Sequence, residues 1–405
     1  IILRLVIFTI MTLTSMPLFA GSPLQLFVDL TGPGQTLNLI PGTFEGNLQI
    51  NKPIIVDGLN EVTLDGNGKG TVLSINADSV IVRNLHITNS GNSHDKVDAG
   101  VLINGNNVVF ENCVIDNVLF GVHIFQGNDN IVRNNTISSR PVQPTLRGDG
   151  IRLWYSMGNR VENNKLYCVR DMILTNSPNN FICDNSIQNS RMGLELIFSH
   201  GVEVAGNHMS NNEHGIIGIY SDSLYIHHNR IEHQNHLVGS GIAVKSSSQT
   251  VIEANEILDC AIGMTANSPL FPENVLYIKD NIFAYNDVAM YFYGEKGGHQ
   301  ISGNRFTNNF TDIAVTGPTS ALSNNWSGNY WSDYAGFDLD GDGYGDTPYS
   351  KFIYSDRIWM DKPMAKFFRG SLVMGLIDFV ERLLPYSQPD LILNDPTPLI
   401  PAKGE

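Results

Sequence analysis

Leu224-Tyr225-Ile226-His227-His228-Asn229-Arg230-Ile231 returns further along the chain as Leu276-Tyr277-Ile278-Lys279-Asp280-Asn281-Ile282-Phe283. Each copy alternates apolar and polar residues on both sides of an asparagine, and the asparagine stands two residues before an apolar side chain. The same arrangement occurs at Asn135, Asn164, Asn185, Asn207, Asn229, Asn255, Asn281 and Asn304, with gaps of 29, 21, 22, 22, 26, 26 and 23 residues. A period near 22 that tolerates insertions is the mark of a solenoid, in which each repeat is one coil stacked on the next. Alternation predicts short strands with one buried face.

A second strand recurs in each period and opens on glycine: Gly121-Val122-His123-Ile124, Gly150-Ile151-Arg152-Leu153, Gly193-Leu194-Glu195-Leu196, Gly215-Ile216-Ile217-Gly218 and Gly241-Ile242-Ala243-Val244. The expected fold is all-β, a right-handed parallel β-helix of about 10–11 coils. At roughly 4.8 Å per coil the rod is near 50 Å long. The recurring asparagine is expected to take the left-handed backbone of a sharp corner. Its amide is expected to bond to the same amide one coil above and below.

The rod is expected to span residues 71–325, after an N-terminal cap and first coils over 24–70. A Trp/Tyr/Asp-rich block covers 326–350, and a helix and Pro-rich tail cover 351–405. Leu372, Val373, Leu376, Ile377, Val380, Leu383 and Leu384 follow helical spacing up to Pro385, and the apolar side is expected to close the open core. The alternative use of that helix is to dock a membrane partner. Insertions at 90–98, 139–148, 234–239 and 268–274 are loops on the rod surface, where per-repeat insertions gather on a binding face.

Composition sets the class of partner. The formal net charge is −15, which excludes a long nucleic-acid footprint. Residues 1–20 read as a secretory signal, apolar from Ile1 to Phe19 and cleaved after Ala20, so the expected compartment is the periplasm. Four cysteines in an oxidising compartment invite disulfides. The register sets Cys168 and Cys183 far apart along the strand direction, so four free thiols are expected.

Three groups of residues could carry chemistry. Asp338, Asp340, Asp342, Tyr344 and Asp346 follow most of a calcium-loop pattern with Gly343 at the turn, although Tyr349 stands where the bidentate glutamate belongs. His200, His208, His214, His227, His228, His233 and His236 crowd one region, with Met192 and Met209 in the same coils; soft and imidazole donors together suit copper. Arg147, Asp149, Arg152, Arg170, Asp171, Arg191 and Glu195 come from three successive coils. Such an array could serve a polysaccharide lyase or epimerase, or could satisfy its own charges as a ladder. There is no nucleotide loop, Gly-x-Ser-x-Gly elbow or His-Glu-x-x-His pair.

Arg147-Gly148-Asp149-Gly150-Ile151-Arg152-Leu153-Trp154-Tyr155-Ser156, Asn329-Tyr330-Trp331-Ser332-Asp333-Tyr334 running into Gly336-Phe337-Asp338-Leu339-Asp340-Gly341-Asp342-Gly343, and Asp356-Arg357-Ile358-Trp359-Met360 resemble the NosD family. The similarity runs from about Leu24 to Leu399. These are periplasmic β-helix proteins of the nitrous oxide reductase maturation system. The resemblance implies a non-enzymatic accessory protein for assembly of the copper centres of that reductase, delivering copper or sulfur. Its implied partners are the ATPase and permease subunits of an ABC transporter, nitrous oxide reductase and a copper chaperone. Copper is the cofactor that the resemblance implies; the structural Ca²⁺ at the acidic loop rests on the loop pattern alone. The resemblance also implies His or Met near the ends of the middle Gly strands. Here those stretches read Gly193-Leu-Glu195-Leu-Ile-Phe-Ser199 and Gly215-Ile-Ile-Gly-Ile-Tyr-Ser221, with His200 and His214 beside them.

Overall fold

The computed structural model describes residues 23–234, 236–267, 275–294, 297–316, 321–353, 371–383 and 390–400. Residues 1–20, expected to be a secretory signal, the 268–274 insertion, Leu384, the Asp356–Met360 segment and residues 401–405 lie outside them. Each short strand pairs in parallel with the strand one turn further along. Val132, Val161, Ile182, Val204, Ile226, Ile252, Ile278 and Ile301 therefore stand in one file, all fully buried. Most turns contribute two strands to a 24-stranded sheet A, Ile55–Asp65 and Ile81–Thr88 each running through as one, and the Gly-opened strands form a 12-stranded sheet B. Sheet B runs from Leu48–Ile50 to Thr311–Val315, so the rod has twelve coils rather than ten or eleven. The additional coils are at the ends, where repeat spacing is irregular. Thr36–Asn38 already pairs with Ile55–Asp57, and Asn325–Ser327 and Tyr330–Trp331 continue sheet A beyond the last expected repeat.

The glycines that open sheet B strands are there because backbones approach closely. A Cβ on Gly121 would lie 2.2 Å from the Gly150 carbonyl oxygen, and one on Gly215 equally close to that of Gly241.

The asparagine file is a continuous hydrogen-bonded ladder. Each Oδ1 accepts the backbone N–H, and in every pair after the first also the side-chain amide, of the ladder residue before it. The chain of acceptance runs from Cys113 through Asn135, Asn164, Asn185, Asn207, Asn229, Asn255, Asn281 and Asn304 to Asn329. Asn329 is a ninth rung that the repeat spacing did not reveal. The ladder ends on Asp395, 66 residues on, whose Oδ2 accepts from Asn329 N at 3.1 Å, Asn329 Nδ2 at 2.9 Å and Trp331 Nε1 at 3.2 Å. An acceptor-only carboxylate is the right terminator, because it asks for no further rung. The ladder residues do not take the left-handed corner as expected. That conformation falls one position earlier, at Asn134, Asn163, Asp184, Gly206, His228, Ala254, Asp280, Gly303 and Gly328.

Both ends of the core are covered. At the first coil, Leu24 and Val28 of helix α1 (Gln25–Leu30) and its N-cap are buried in the core cluster, and Gln25 Nε2 donates to the Gln49 carbonyl at 3.0 Å. At the last coil the file Ile231, Ile257, Phe283, Phe306 and Trp331 widens into rings. Phe283 stacks on Phe306 at 5.3 Å, Phe306 on Trp331 at 4.3 Å, and Trp331 on Tyr349 at 4.6 Å. The antiparallel pair Tyr349–Ile353 and Asp390–Asp395 adds buried Ile392 and Leu393. Helix α2 (Leu372–Leu383) was expected to provide this cover and does not. Leu372, Val373, Leu376, Phe379 and Leu383 are each 60% exposed or more. The aromatic stack had already closed the end. No described helix is long and apolar enough to cross a membrane.

Candidate metal and ligand sites

Most of the histidine density is spent on pairs between neighbouring coils. His208 Nε2 meets Glu232 Oε1 at 2.8 Å, and His233 Nδ1 meets Asp259 Oδ2 at 2.7 Å. His200 lies 3.5 Å from Asp222 and accepts its backbone N–H. His214 Nδ1 accepts the Ser240 N–H at 3.2 Å, which places its proton on Nε2 and leaves no lone pair for a metal. Burial, with help from His236, pushes the His214 imidazole below its ordinary range. Met192 stands opposite His214 in sheet B and is half-buried. Met209 is a core residue, fully buried and packed against Gly193, so it cannot serve a surface site. His236 and His233 border an open cavity of about 410 Å³ with Arg191 and Glu213.

His227 and His228 are the exception. Their Nδ1 atoms are 2.9 Å apart, and Glu203 Oε1 lies 3.3 Å from His227 Nε2. The Tyr225 ring stacks on His227 at 4.0 Å, which fixes the imidazole plane. The left-handed corner at His228, φ 54°, turns its ring back onto its neighbour. Glu203 accepts the Nε2 proton of His227, so the Nδ1 lone pair of His227 is directed at His228.

Among the described residues, Asp338, Asp340 and Asp342 are the one trio of His, Cys, Asp or Glu whose donor atoms come within 4.8 Å of one another. Against slight desolvation, the N–H groups of Gly343, Gly341 and Asp342 hold the Asp338 carboxyl below the usual range. Asp346 lies to one side, accepting the Leu339 N–H at 2.6 Å, and Tyr344 bridges to Leu399.

The charged array on sheet B is a closed ladder. Asp149 and Asp171 are buried. Arg170 lies 2.7 Å from Asp149 Oδ1 and 3.3 Å from Asp171 Oδ2, and Arg191 grips both Asp171 oxygens. Arg152 approaches Asp149 at 3.7 Å, and Arg191 approaches Glu195 at 3.9 Å. Arg147 stands apart, donating to the carbonyls of Val142 and Asn189. Burial, only partly offset by Arg170, pushes Asp149 up to about 6. Arg191 holds both Asp171 oxygens, whereas Asp149 has Oδ1 held by Arg170 and Oδ2 without a hydrogen-bond partner. Two of the four thiols are shielded. No disulfide forms among the cysteines, and burial pushes Cys113 and Cys260 up to about 12.

Two features of sheet B were not anticipated. Its outward face carries Trp154, Ile173, Ile197, Ile217 and Ile219, half-buried among Arg152, Thr175, Glu195 and Lys245, where solvent-facing polar residues are the rule. Tyr155, Phe198 and Tyr220 flank it in left-handed backbone, and Phe198 stacks on Tyr220 at 5.2 Å. Bulky residues there cost about 1–2 kcal/mol each. The second feature is His123, an outward position of sheet B whose buried Nε2 has no partner. The strand pattern showed the outward positions, but not that an insertion covers this one.

Fold and sites together define a closed-ended parallel β-solenoid with an Asp/Arg ladder on one sheet and a few isolated donor sets on its surface. Residues 137–336 match the family described as "Periplasmic copper-binding protein (NosD)", and residues 57–181 match "Right handed beta helix region". A "Probable ABC transporter binding protein NosD" from Pseudomonas aeruginosa is 25% identical over 381 residues, covering 86% of this chain and 84% of its own. A protein of the same description from Stutzerimonas stutzeri is 26% identical over 360 residues, covering 85% and 82%. The chain is a NosD-like protein. Among solved structures, the A-module of mannuronan C-5 epimerase AlgE6 from Azotobacter vinelandii superposes with a TM-score of 0.52 at 16% identity, covering 75% of this chain and 93% of that one, which is a likeness of fold.

Proposed function

We propose that this chain is a periplasmic accessory protein in the assembly of the copper centres of nitrous oxide reductase, working with the ATPase and permease of an ABC transporter, and that it takes copper as cargo at His227 and His228. The observation that carries this reading is the 2.9 Å approach of the two Nδ1 atoms, braced by Glu203 and Tyr225. Imidazole nitrogen suits copper. A two-donor set suits Cu⁺, which accepts few ligands, better than Zn²⁺, which takes four; the two Nδ1 atoms, hydrogen-bonded at 2.9 Å, part by about 1 Å to admit a linearly held ion. Moving the His228 proton from Nδ1 to the outer Nε2 frees the second lone pair without changing the charge of the site. The Glu203 carboxylate holds His227 in the required tautomer. Of the nine His and Met residues singled out in the sequence, this pair has donors facing each other, whereas Met209 is in the core and His214 has its lone pair engaged.

The exposed Tyr155, Phe198 and Tyr220, beside the half-buried isoleucines of sheet B, suit a protein partner, since clustered apolar surface marks interaction sites. The relatives' description as ABC transporter binding proteins supports a transporter subunit in that role. As a separate reading, Ca²⁺ sits at Asp338, Asp340 and Asp342 as a structural ion. The test of the copper site is Cu⁺ competition against a chromogenic chelator. The His227→Ala/His228→Ala double variant should lose binding, and Glu203→Gln should weaken it by about 10–100-fold. Unchanged Cu⁺ affinity in the double variant refutes the site. Failure of the intact chain to co-purify with an ATPase and permease refutes the partnership.

A further inference from the structure

On the outward face of sheet B, next to the Arg152 end of the charge ladder, lies a cleft of about 560 Å³ that none of the pairs above uses. Its floor is built from two neighbouring strands, with Leu102 opposite His123 and Phe125 one outward position further along. Its wall is Lys96 and Val97 of the 90–98 insertion, and Asn104 and Gln126 border the far end. That wall is held in place. Asp98 Oδ2 accepts the Ser93 N–H at 2.9 Å, and Ser93 Oγ accepts the Lys96 N–H at 3.2 Å. The Arg140 guanidinium donates to the Ser90 and Gly91 carbonyls at 3.0 and 2.9 Å. A preformed wall lowers the ordering cost of binding.

His123 is 7% exposed, borders this cleft, and its Nε2 has no hydrogen-bond partner. A buried polar atom without a partner costs about 1–3 kcal/mol and calls for a group to meet it. The surroundings say which kind. His86, His208, His227 and His233 each face a carboxylate, whereas His123 faces Arg152. Burial and then Arg152 push its imidazole down to about 4, so the ring is neutral at pH 7 and offers an uncharged N–H. No acidic residue borders the cleft, and Lys96 adds a cation, in a chain of net charge −15. A positive spot with a neutral donor rejects metal cations and favours an anion. The amides of Asn104 and Gln126 suit hydroxyl groups, and Phe125, Leu102 and Val97 suit a C–H face. The volume is within the range of small-molecule sites.

We propose that this cleft binds a small hydroxylated carboxylate of the size of one sugar acid. The carboxylate pairs with Lys96, a hydroxyl oxygen accepts from His123 Nε2–H, and the apolar ring face lies on Phe125. The site is separate from the histidine pair and independent of copper. The test is titration of the full chain with D-glucuronate and with D-glucose, read by calorimetry and by the ring signals of His123 in histidine-labelled protein. Glucuronate should bind in the millimolar range and shift the His123 signals, with glucose about tenfold weaker. Lys96→Met, on an exposed loop that leaves the core intact, should bring glucuronate down to the level of glucose. His123→Phe should abolish both. Glucuronate that leaves the His123 signals unmoved, or that binds equally well to Lys96→Met, overturns the proposal.

Discussion

Replacing Asn207 with alanine cuts the ladder at its middle, and the cost follows from the bonds lost. Asn207 Oδ1 accepts from Asn185 N at 2.9 Å and from Asn185 Nδ2 at 3.0 Å. Asn207 Nδ2 donates to the Ile182 carbonyl at 2.8 Å, the Ala205 carbonyl at 3.1 Å and Asn229 Oδ1 at 2.9 Å. Asn207 is fully buried, so no water replaces these partners. The Asn185 N–H and the Ile182 carbonyl lose their side-chain partner together. At about 1–3 kcal/mol for each buried group left short, the variant should lose roughly 2–6 kcal/mol. In a solenoid the loss falls on the interfaces between neighbouring coils, so the transition should broaden or split as well as shift. Urea unfolding followed by far-ultraviolet circular dichroism measures both. Asn207→Asp sharpens the test. It keeps the acceptor for Asn185 but turns a carboxylate oxygen toward three other oxygens, so it should be worse than alanine at pH 7 and recover as acid protonates it. Asp395 tolerates that charge because only N–H donors of Asn329, Trp331 and Thr397 face it. A loss below about 1 kcal/mol for Asn207→Ala, or a wild-type Asn207→Asp at pH 7, would refute the ladder as the brace of the corners.

Asp395→Ala should fray the last coil, costing about 2–4 kcal/mol and exposing Trp331, seen as a red shift in its fluorescence before global unfolding. Folding lifts the Asp149 carboxyl to about 6 from an unfolded value near 3.9. Its contribution to stability is therefore present in full below about pH 4 and lost as pH rises through about 6. The difference between Asp149→Asn and wild type should shift in favour of the variant across that window, by at most about 3 kcal/mol; a flat difference contradicts the raised carboxyl. Iodoacetamide at pH 8 should spare Cys113 and Cys260 in the native protein and reach first the half-buried Cys168 and Cys183, as peptide mapping would show. Calcium should raise the melting temperature of wild type and leave that of Asp340→Asn unchanged, with equal responses counting against an ion at Asp338, Asp340 and Asp342.

The sites were legible in proportion to how locally they are built. The histidine pair is two adjacent residues, and its proximity needed no fold. Its brace did need one, because Glu203 reaches His227 only across a coil boundary. The acid trio is local in the same way, since a Gly-rich turn gathers Asp338, Asp340 and Asp342 without help from the rod. The pairing of Asp149 and Asp171 with Arg170 and Arg191 followed from the 22-residue period, but the depth of burial did not. The His123 cleft depends on an insertion from one coil folding over a strand of the next, and periodicity locates an insertion in the chain without saying which strand it packs on. Helix α2 was recognised from its spacing, and its role was misjudged because spacing shows that a face is apolar, not what covers it.

The amino-acid order alone determined the parallel solenoid, the inward files of Ile, Val and Leu, and the amide ladder. All of these repeat with one period, and each coil can satisfy its backbone and bury its apolar side only by stacking on an equivalent neighbour. The tertiary structure alone decided how the repetition stops. Leu24 and Val28 cover one end, and the rings of Phe306, Trp331 and Tyr349 cover the other. Asp395 returns from 66 residues away to accept the last rung. An end has no next coil, so its closure rests on contacts between distant residues that no repeat can announce.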